Sequence, residues 1–276
     1  MVQINPVILM RHSLAEEEEY LAAQKYFPVH STRASLPEDS LVIGRYSVLP
    51  YYGELCDDLA CLNSVLINSY HNHVYVADLG SWYEDVYYSS LNPATPKTWF
   101  NLESVPRDGG PFILKGVTNS KKQQWKTHMY AENWEEASKV HSRLLQDGLI
   151  CSQDIVIREY VPLRSFGTAI SGMPITEEYR FFYYKTTQLC GAYYWSEHFD
   201  VVEEHNLSPD NVPKEWLADI VSTVSLSINF FVIDVARTKK GDWIVIELND
   251  GQQAGLSMND PDTLYKNLKE ALCQTQ

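Results

Sequence analysis

Asp234, Glu247 and Asn249 carry the clearest chemical content in this chain of 276 residues. The first lies in FFVIDVAR and the other two in DWIVIELND, two strongly apolar runs joined by TKKG. Strands of that composition rarely turn carboxylates inward, because burying an unpaired charge is costly. With Thr238–Gly241 as the turn and Arg237 facing Asp242, Asp234 lies opposite Val245. Alternation then sends Asp234, Val245, Glu247 and Asn249 to one face, with Asp234 and Glu247 as diagonal neighbours. Carboxylates that close repel each other unless a proton or a cation intervenes. A divalent ion with oxygen ligands resolves the repulsion, and magnesium takes a few carboxylates together with phosphate oxygens and water. The alternative is an edge position where both groups are solvated.

Basic residues that could answer a phosphate lie upstream. Lys115 ends the apolar strand PFILKG, and a polar segment with Lys121, Lys122 and Lys126 follows it. A lysine there can reach a phosphate while the segment closes over it, or it can remain a solvated charge. Arg180 sits inside EYRFFYY, where alternation places it with Phe182 and Tyr184. An inward arginine needs an anion, either a structural carboxylate such as Glu178 or a phosphate. Arg158 beside Glu159 poses the same choice. GxxxxGK[ST], GxGxxG, GxSxG and HExxH are all absent. His71 and His73 flank Asn72, but two ligands do not make a metal site.

The elements that must position these residues fall into successive units. PVILM and SLVIGRYS read as strands, Glu17–Phe27 and Glu54–Ser69 as helices, and HVYVADL as a further strand. The alternation implies an α/β lobe with a mostly parallel sheet. Ser13 with Glu16 fits a capping box opening the first helix, and Glu16–Glu19 reads as its solvated start. LNPATPKTW reads as a linker. GVTNSKKQQWKTHMY suits a loop or loose hairpin, followed by a helix capped by Asn133. DIVIREYVPL is a strand, EYRFFYYKTT and LCGAYYW form an aromatic hairpin, and PKEWLADIVSTVSLSIN is a helix. Asp260 caps a last helix with Leu264, Leu268 and Leu272 on one face.

Composition limits the function classes. Hydrophobic residues at 45% support a large core, and charged residues at 21% exclude wholesale disorder. No apolar run reaches the roughly 20 residues of a membrane span, and MVQINPVILMRHS has no leader pattern. A soluble, cytoplasmic protein is expected. The 22 basic and 36 acidic residues leave a net charge of −14, which argues against a broad nucleic-acid or anionic-membrane surface. The Lys121–Lys126 cluster keeps RNA open as a substrate. Five cysteines without metal spacing read as free thiols.

Taken in order, these pieces resemble the ATP-grasp superfamily over roughly Pro111 to Leu256. The carriers are a strand-end lysine before a covering loop, the segment IVIREYVPL, the strand EYRFF, and FVIDVAR followed by the ELN ending. The resemblance implies an α+β ATP-grasp fold with an N-terminal α/β lobe. Residues 1–97 would form the lobe and 98–276 the nucleotide-binding and catalytic domain, with subdomains at about 98–165 and 166–276. It implies ATP and Mg2+ as cofactors. Lys115, Lys121, Lys122 and Arg180 would hold phosphates, and the backbone of Glu159, Tyr160 and Val161 the adenine edge. Asp234, Glu247 and Asn249 would hold the metal, with Arg180 and Lys115 assisting transfer. The implied activity is that of a carboxylate–amine ligase, passing through an acyl-phosphate and releasing ADP and phosphate. Its substrates would be small-molecule or peptide carboxylates and amines, and the forms FILK and EYRFF look like the small bacterial and phage members. A kinase, a nucleotidyl transferase or a non-catalytic ATP-binding regulator are the alternatives.

The departures from the family pattern are local. The covering loop has one glycine, and no lysine lies between Lys25 and Lys97, leaving Arg45 or Lys97 to replace an earlier phosphate contact. The ribose-holding acid is missing, and VPLRSFG offers Arg164 and Ser165 instead. Substrate contacts are expected from Arg45–Glu54, Arg164–Thr176 and Gly251–Met258.

Overall fold

The computed structural model describes residues 5–89, 94–169 and 171–274. Residues 91–93 of the expected linker, and residues 1–4 of the segment read for a leader, lie outside the described residues. The first unit runs β1 (Asn5–Leu9), α1 (Glu17–Tyr26), β2 (Val29–His30), β3 (Ser40–Ile43), α2 (Tyr52–Cys61), β4 (Val65–Leu66), α3 (Tyr70–Ala77) and α4 (Leu79–Tyr87). Its sheet has the order β2-β1-β3-β4 with every pairing parallel, as the strand–helix alternation requires.

Three expectations fail here for identifiable reasons. The helix expected over 54–69 ends at Cys61, because Asn63 takes a left-handed φ of 50° and turns the chain into β4. HVYVADL is not a strand. Ser69 and Asn72 form a reciprocal capping box, and the run continues as α3. The Ser13–Glu16 box does not form either: Glu16 is itself the cap residue and makes no side-chain capping bond. Nor is the glutamate run wholly solvated, since Glu19 is buried.

A second unit holds β5 (Thr98–Trp99), β6 (Phe112–Gly116), α5 (Trp125–His128), β7 (Tyr130–Ala131), α6 (Trp134–Leu144) and β8 (Ile155–Glu159). The strands form an antiparallel sheet in the order β5-β8-β6-β7. One face packs Phe112, Leu114, Ile155 and Ile157 against Ala137, Val140 and Leu144 of α6. Asn133 caps α6 by accepting from the Glu136 N–H. The expected loop after β6 is more ordered than its composition suggested, since it contains a 3-10 turn over Lys122–Gln124 and then α5.

The third unit comprises β9 (Ser165–Thr168), β10 (Pro174–Thr176), β11 (Glu178–Tyr184), β12 (Thr187–Tyr193), α7 (Asp200–Glu204), α8 (Lys214–Val224), β13 (Phe230–Arg237), β14 (Trp243–Asp250) and α9 (Pro261–Gln274). Its main sheet has the order β12-β11-β13-β14, all antiparallel. Both faces are covered, so β11 and β13 read as continuous apolar runs. Tyr179, Phe181, Tyr183, Phe231, Ile233 and Val235 pack towards α3, α4 and α8. Phe182, Tyr184, Phe230 and Val232 pack on the opposite side with α1 and α9.

Arg45 locks α1 to α9 and to the chain beyond β14. Its fully buried guanidinium donates to Glu19 at 2.6 and 3.0 Å, to Tyr265 at 3.2 Å, and to the carbonyls of Gly251 and Ala254. Removing one partner of such a pair leaves a buried charge unanswered. Glu19→Ala is therefore expected to cost about 3–5 kcal/mol, read as a lower urea midpoint at unchanged slope. The neighbouring Glu18→Ala, on the exposed side, should shift stability by under about 0.5 kcal/mol.

Candidate active site

A cleft opens between the two antiparallel sheets. Ile113, Met129, Leu163, Met173 and Ile244 make one end apolar, and Lys115, Lys122, Arg158, Glu178 and Glu247 make the other end ionic. The walls follow from alternation: Phe112 and Leu114 point to α6, so Ile113 and Lys115 point to the cleft. Glu159, Tyr160 and Val161 run along the rim where β8 ends. Glu159 N–H donates to the Lys97 carbonyl at 2.8 Å and Tyr160 N–H to the Pro111 carbonyl at 3.0 Å. The Val161 N–H has no partner among the described residues, which leaves one backbone donor at the apolar end. A planar heteroaromatic group could use it.

The ionic end is built on one row across three strands. Arg180 on β11 is paired directly with Asp234 on β13, and Asp234 directly with Glu247 on β14. The expected register put Asp234 opposite Val245 and made Glu247 a diagonal neighbour. A bulge between Asp234 and Val235 corrects this: Val235 faces Val245, and Ile246 is the extra residue. Val245 therefore turns into the core on the far side, while Asp234, Glu247 and Asn249 keep the common face.

Cations answer each carboxylate. Arg180 grips Asp234 through two parallel bonds of 2.8 Å and gives a third, also 2.8 Å, to the Gly255 carbonyl. The structural partner of Arg180 is thus Asp234 and not Glu178. Lys115 pairs with Glu247. Lys122 donates to the Tyr194 hydroxyl at 2.7 Å and lies over the Tyr194 ring. Burial would raise Glu247, but Lys115, Lys122 and Arg180 outweigh it and hold its carboxyl down at about 2. Glu178 goes the other way. Burial, with Asp234 nearby, pushes it up to about 7 although Lys122 opposes the shift. Burial brings Arg158 down to about 10, with Glu247 opposing. Arg158 is held by Thr95 at 2.6 Å and by the Ile246 carbonyl at 2.7 Å, in the middle of the bulge.

Of the residues singled out from sequence, Lys115, Lys122, Glu159, Tyr160, Val161 and Glu247 line the cleft. Arg180 and Asp234 lie in the row beside it, with the Asn249 amide nitrogen 3.5 Å from Asp234. Lys121 is not brought in; its ammonium pairs with Asp147 at 2.7 Å. Arg45 is sealed against Glu19, and Lys97 is exposed with its ammonium over Trp99, so neither lines the cleft. Arg164 pairs with Glu177 instead of reaching the rim pocket. Glu178 and Arg158 also line the cleft; the sequence offered Glu178 only as a partner for Arg180 and left Arg158 open between a carboxylate and a phosphate, and the signal of both was a charge inside an otherwise apolar strand.

Asp234, Glu247 and Asn249 supply hard oxygen donors on one face of adjacent strands, which suits magnesium. Among the described residues no group of three His, Cys, Asp or Glu converges, so the set is two carboxylates and an amide. Both carboxylates are neutralised by Arg180 and Lys115, cations that an incoming phosphate could take over.

Residues 106–268 match the family model of an ATP-grasp domain, R-2-K clade family 3. No curated protein matches the sequence. Among solved structures, the RimK domain protein ATP-grasp from Sphaerobacter thermophilus DSM 20745 aligns at 14% identity and a TM-score of 0.60, covering 95% of this chain and 98% of that one. D-cycloserine synthetase DcsG aligns at 10% identity and 0.61, covering 97% and 100%. The ATP-grasp ligase PsnB, solved with a phosphomimetic variant of its minimal precursor, Mg and ADP, aligns at 11% identity and 0.59, covering 100% and 99%. At these identities the likeness is one of fold.

The raised Glu178 carboxyl generates a pH test. Below about 4.5 it is protonated folded or unfolded and contributes nothing. Between about 4.5 and about 7 only the folded state keeps the proton, so this group's contribution to stability falls as pH rises, and above about 7 its penalty is complete. Glu178→Gln should therefore raise the melting temperature over wild type at pH 8, with the gain vanishing towards pH 4.5. A gain that grows with acidity would reverse the assignment.

Proposed function

The chain belongs to family 3 of the R-2-K clade of ATP-grasp domains, and on that basis we propose that it is an ATP-dependent carboxylate–amine ligase. The reading rests chiefly on the row Arg180–Asp234–Glu247 facing Lys115 and Lys122 at the end of a cleft with a free backbone donor at its apolar rim. In this reading the adenine lies against Ile113, Met129 and Ile244, with its edge at the Val161 N–H. The triphosphate extends to the ionic end, where Lys115, Lys122 and Arg158 hold its oxygens. Asp234, Glu247 and Asn249 hold magnesium, which when bound neutralises phosphate charge. Lys115 and Arg180 give up their carboxylate partners to do this work, so binding is an exchange of anions and not a creation of new charge. Residues 1–97 are the N-terminal lobe and 98–276 the nucleotide-binding domain of this reading, with subdomains at about 98–165 and 166–276.

No side chain need act as a covalent nucleophile. Rate enhancement comes from placing a carboxylate in line with the γ-phosphate and from neutralising charge as transfer proceeds. The carboxylate becomes an acyl-phosphate, an amine displaces the phosphate, and an amide results. The solved structures of like fold include a ligase complexed with a precursor peptide and a D-cycloserine synthetase, so both substrate sizes suit the fold.

Nucleotide product identity tests the reading. Incubation with ATP, magnesium and a pool of amino acids should yield ADP and phosphate that depend on the pool. AMP with pyrophosphate would instead establish nucleotidyl transfer, and ATP binding without turnover a regulatory protein. Magnesium and ATP together at 100 times their dissociation constant should stabilise the fold by about 2.7 kcal/mol, seen as a rise in melting temperature. Glu247→Gln should reduce turnover by about 100-fold or more while the protein stays folded, an effect comparable to losing one preorganised group. Unchanged turnover at limiting magnesium would remove Glu247 from the metal site.

A further inference from the structure

A second, smaller cavity lies on the other side of the Lys115–Glu247 pair. It encloses about 90 Å³ and is lined by Lys115, Glu247, Asn249, Gln253 and His73, with Leu79 and Trp82 in its apolar wall. It therefore shares two ionic residues with the nucleotide cleft. His73 comes from α3 of the N-terminal lobe and is held more firmly than a surface histidine would be. Its Nδ1 lies 3.0 Å from the Asp250 carboxylate, and since that oxygen can only accept, Nδ1 carries the hydrogen. Asp250 is buried at 3% exposure and also accepts from Asn68 at 2.7 Å and from the Gln252 backbone at 2.8 Å. Tyr52 packs on the imidazole at 5.1 Å between centroids, and Tyr70 stacks at 6.4 Å. This leaves Nε2 as the basic nitrogen, with no partner among the described residues. In the same cavity the Gln253 amide nitrogen is buried and also without a partner. The Gln253 nitrogen is a buried donor left unpaired beside the phosphate-facing residues, which is costly unless a ligand uses it, and the open Nε2 of His73 lies at the same cavity.

We propose that this cavity receives the attacking amine and that His73 is its general base. The inference rests on the ligase reading above, which supplies the acyl-phosphate. The amine lone pair attacks the acyl carbon and forms the C–N bond. The C–O bond to phosphate breaks, its electron pair leaves with the phosphate, and the N–H proton passes to His73 Nε2. Asp250 keeps the imidazole in the tautomer that can accept it, as a buried carboxylate does behind other catalytic histidines. The size and the Leu79–Trp82 wall suit a primary amine borne on a small apolar group, with the Gln253 amide donating to a carbonyl or carboxylate beside it.

The test compares two nucleophiles on wild type, His73→Asn and His73→Gln. Each protein is given ATP, magnesium and an amino-acid pool, and amide-coupled ADP release is measured. The same mixture is then run with excess hydroxylamine, a strong neutral nucleophile that needs no base, and hydroxamate is measured. Both variants should keep the wild-type melting shift with ATP and magnesium, lose about 100-fold in amide formation, and form hydroxamate at a rate within a small factor of wild type. Amide formation at the wild-type rate overturns the role of His73, as does an equal loss with both nucleophiles, which would mark a structural residue. A wild-type protein that shows no melting shift and no ADP release overturns the ligase reading itself and this inference with it.

Discussion

Buried carboxylates govern this structure, because an ionised oxygen inside a sheet must be met by a cation close at hand. Asp234 and Glu247 sit on one face of the β12-β11-β13-β14 sheet and the cations that pair with them come from different places, while Glu178 on the same face has no ion pair among the described residues and is pushed up to about 7. Arg180 is in the same sheet, while Lys115 and Lys122 reach across from the opposing sheet and its loop. Two sheets are therefore pinned face to face by charge at one end of the cleft and held by apolar contact elsewhere. At a spacing near 4.8 Å between strands, the row Arg180–Asp234–Glu247 is an alternating line of charge whose sum can be altered by one ligand.

The rest of the fold keeps that row rigid. Apolar side chains cover both faces of β11 and β13, so their carboxylates and guanidinium have few alternative rotamers. The bulge at Ile246 serves the same end. It lets Val245 stay in the core while Glu247 faces Asp234, and Arg158 caps the carbonyl that the bulge exposes. Charge, packing and backbone irregularity act at the same few residues.

Much of this was legible from the residues. The parallel lobe, the strands around Lys115 and Arg180, and the shared face of Asp234, Glu247 and Asn249 all follow from period and turn chemistry. The bulge was not legible, because nothing in IVIELND marks which residue is extra. The partner of Arg180 stayed open for a related reason: Glu178, the example offered, is near in sequence, but the directly opposed position belongs to Asp234. Glu19 sits in a run of four glutamates, which carries no phase to say which one turns inward. The segment over Tyr70–Ala77 alternates enough to pass for a strand, and only its Ser69–Asn72 cap decides for helix. His73 looked ordinary because its significance comes from Asp250, far away in the chain.

The contact of α1 with α9 has a consequence for biosynthesis. The apolar side of α1 and the Glu19–Arg45 pair are closed by Tyr265 and Leu268 of the last helix. While the ribosome is still extending the chain, the first lobe has no cover for that face. Native closure waits until residues 261–274 have emerged, so α1 settles only when Tyr265, 246 residues beyond Glu19, has been made. A stalled or truncated product would display the uncovered side of α1 and a buried-type ion pair open to water, a surface of the kind that chaperones and proteases engage.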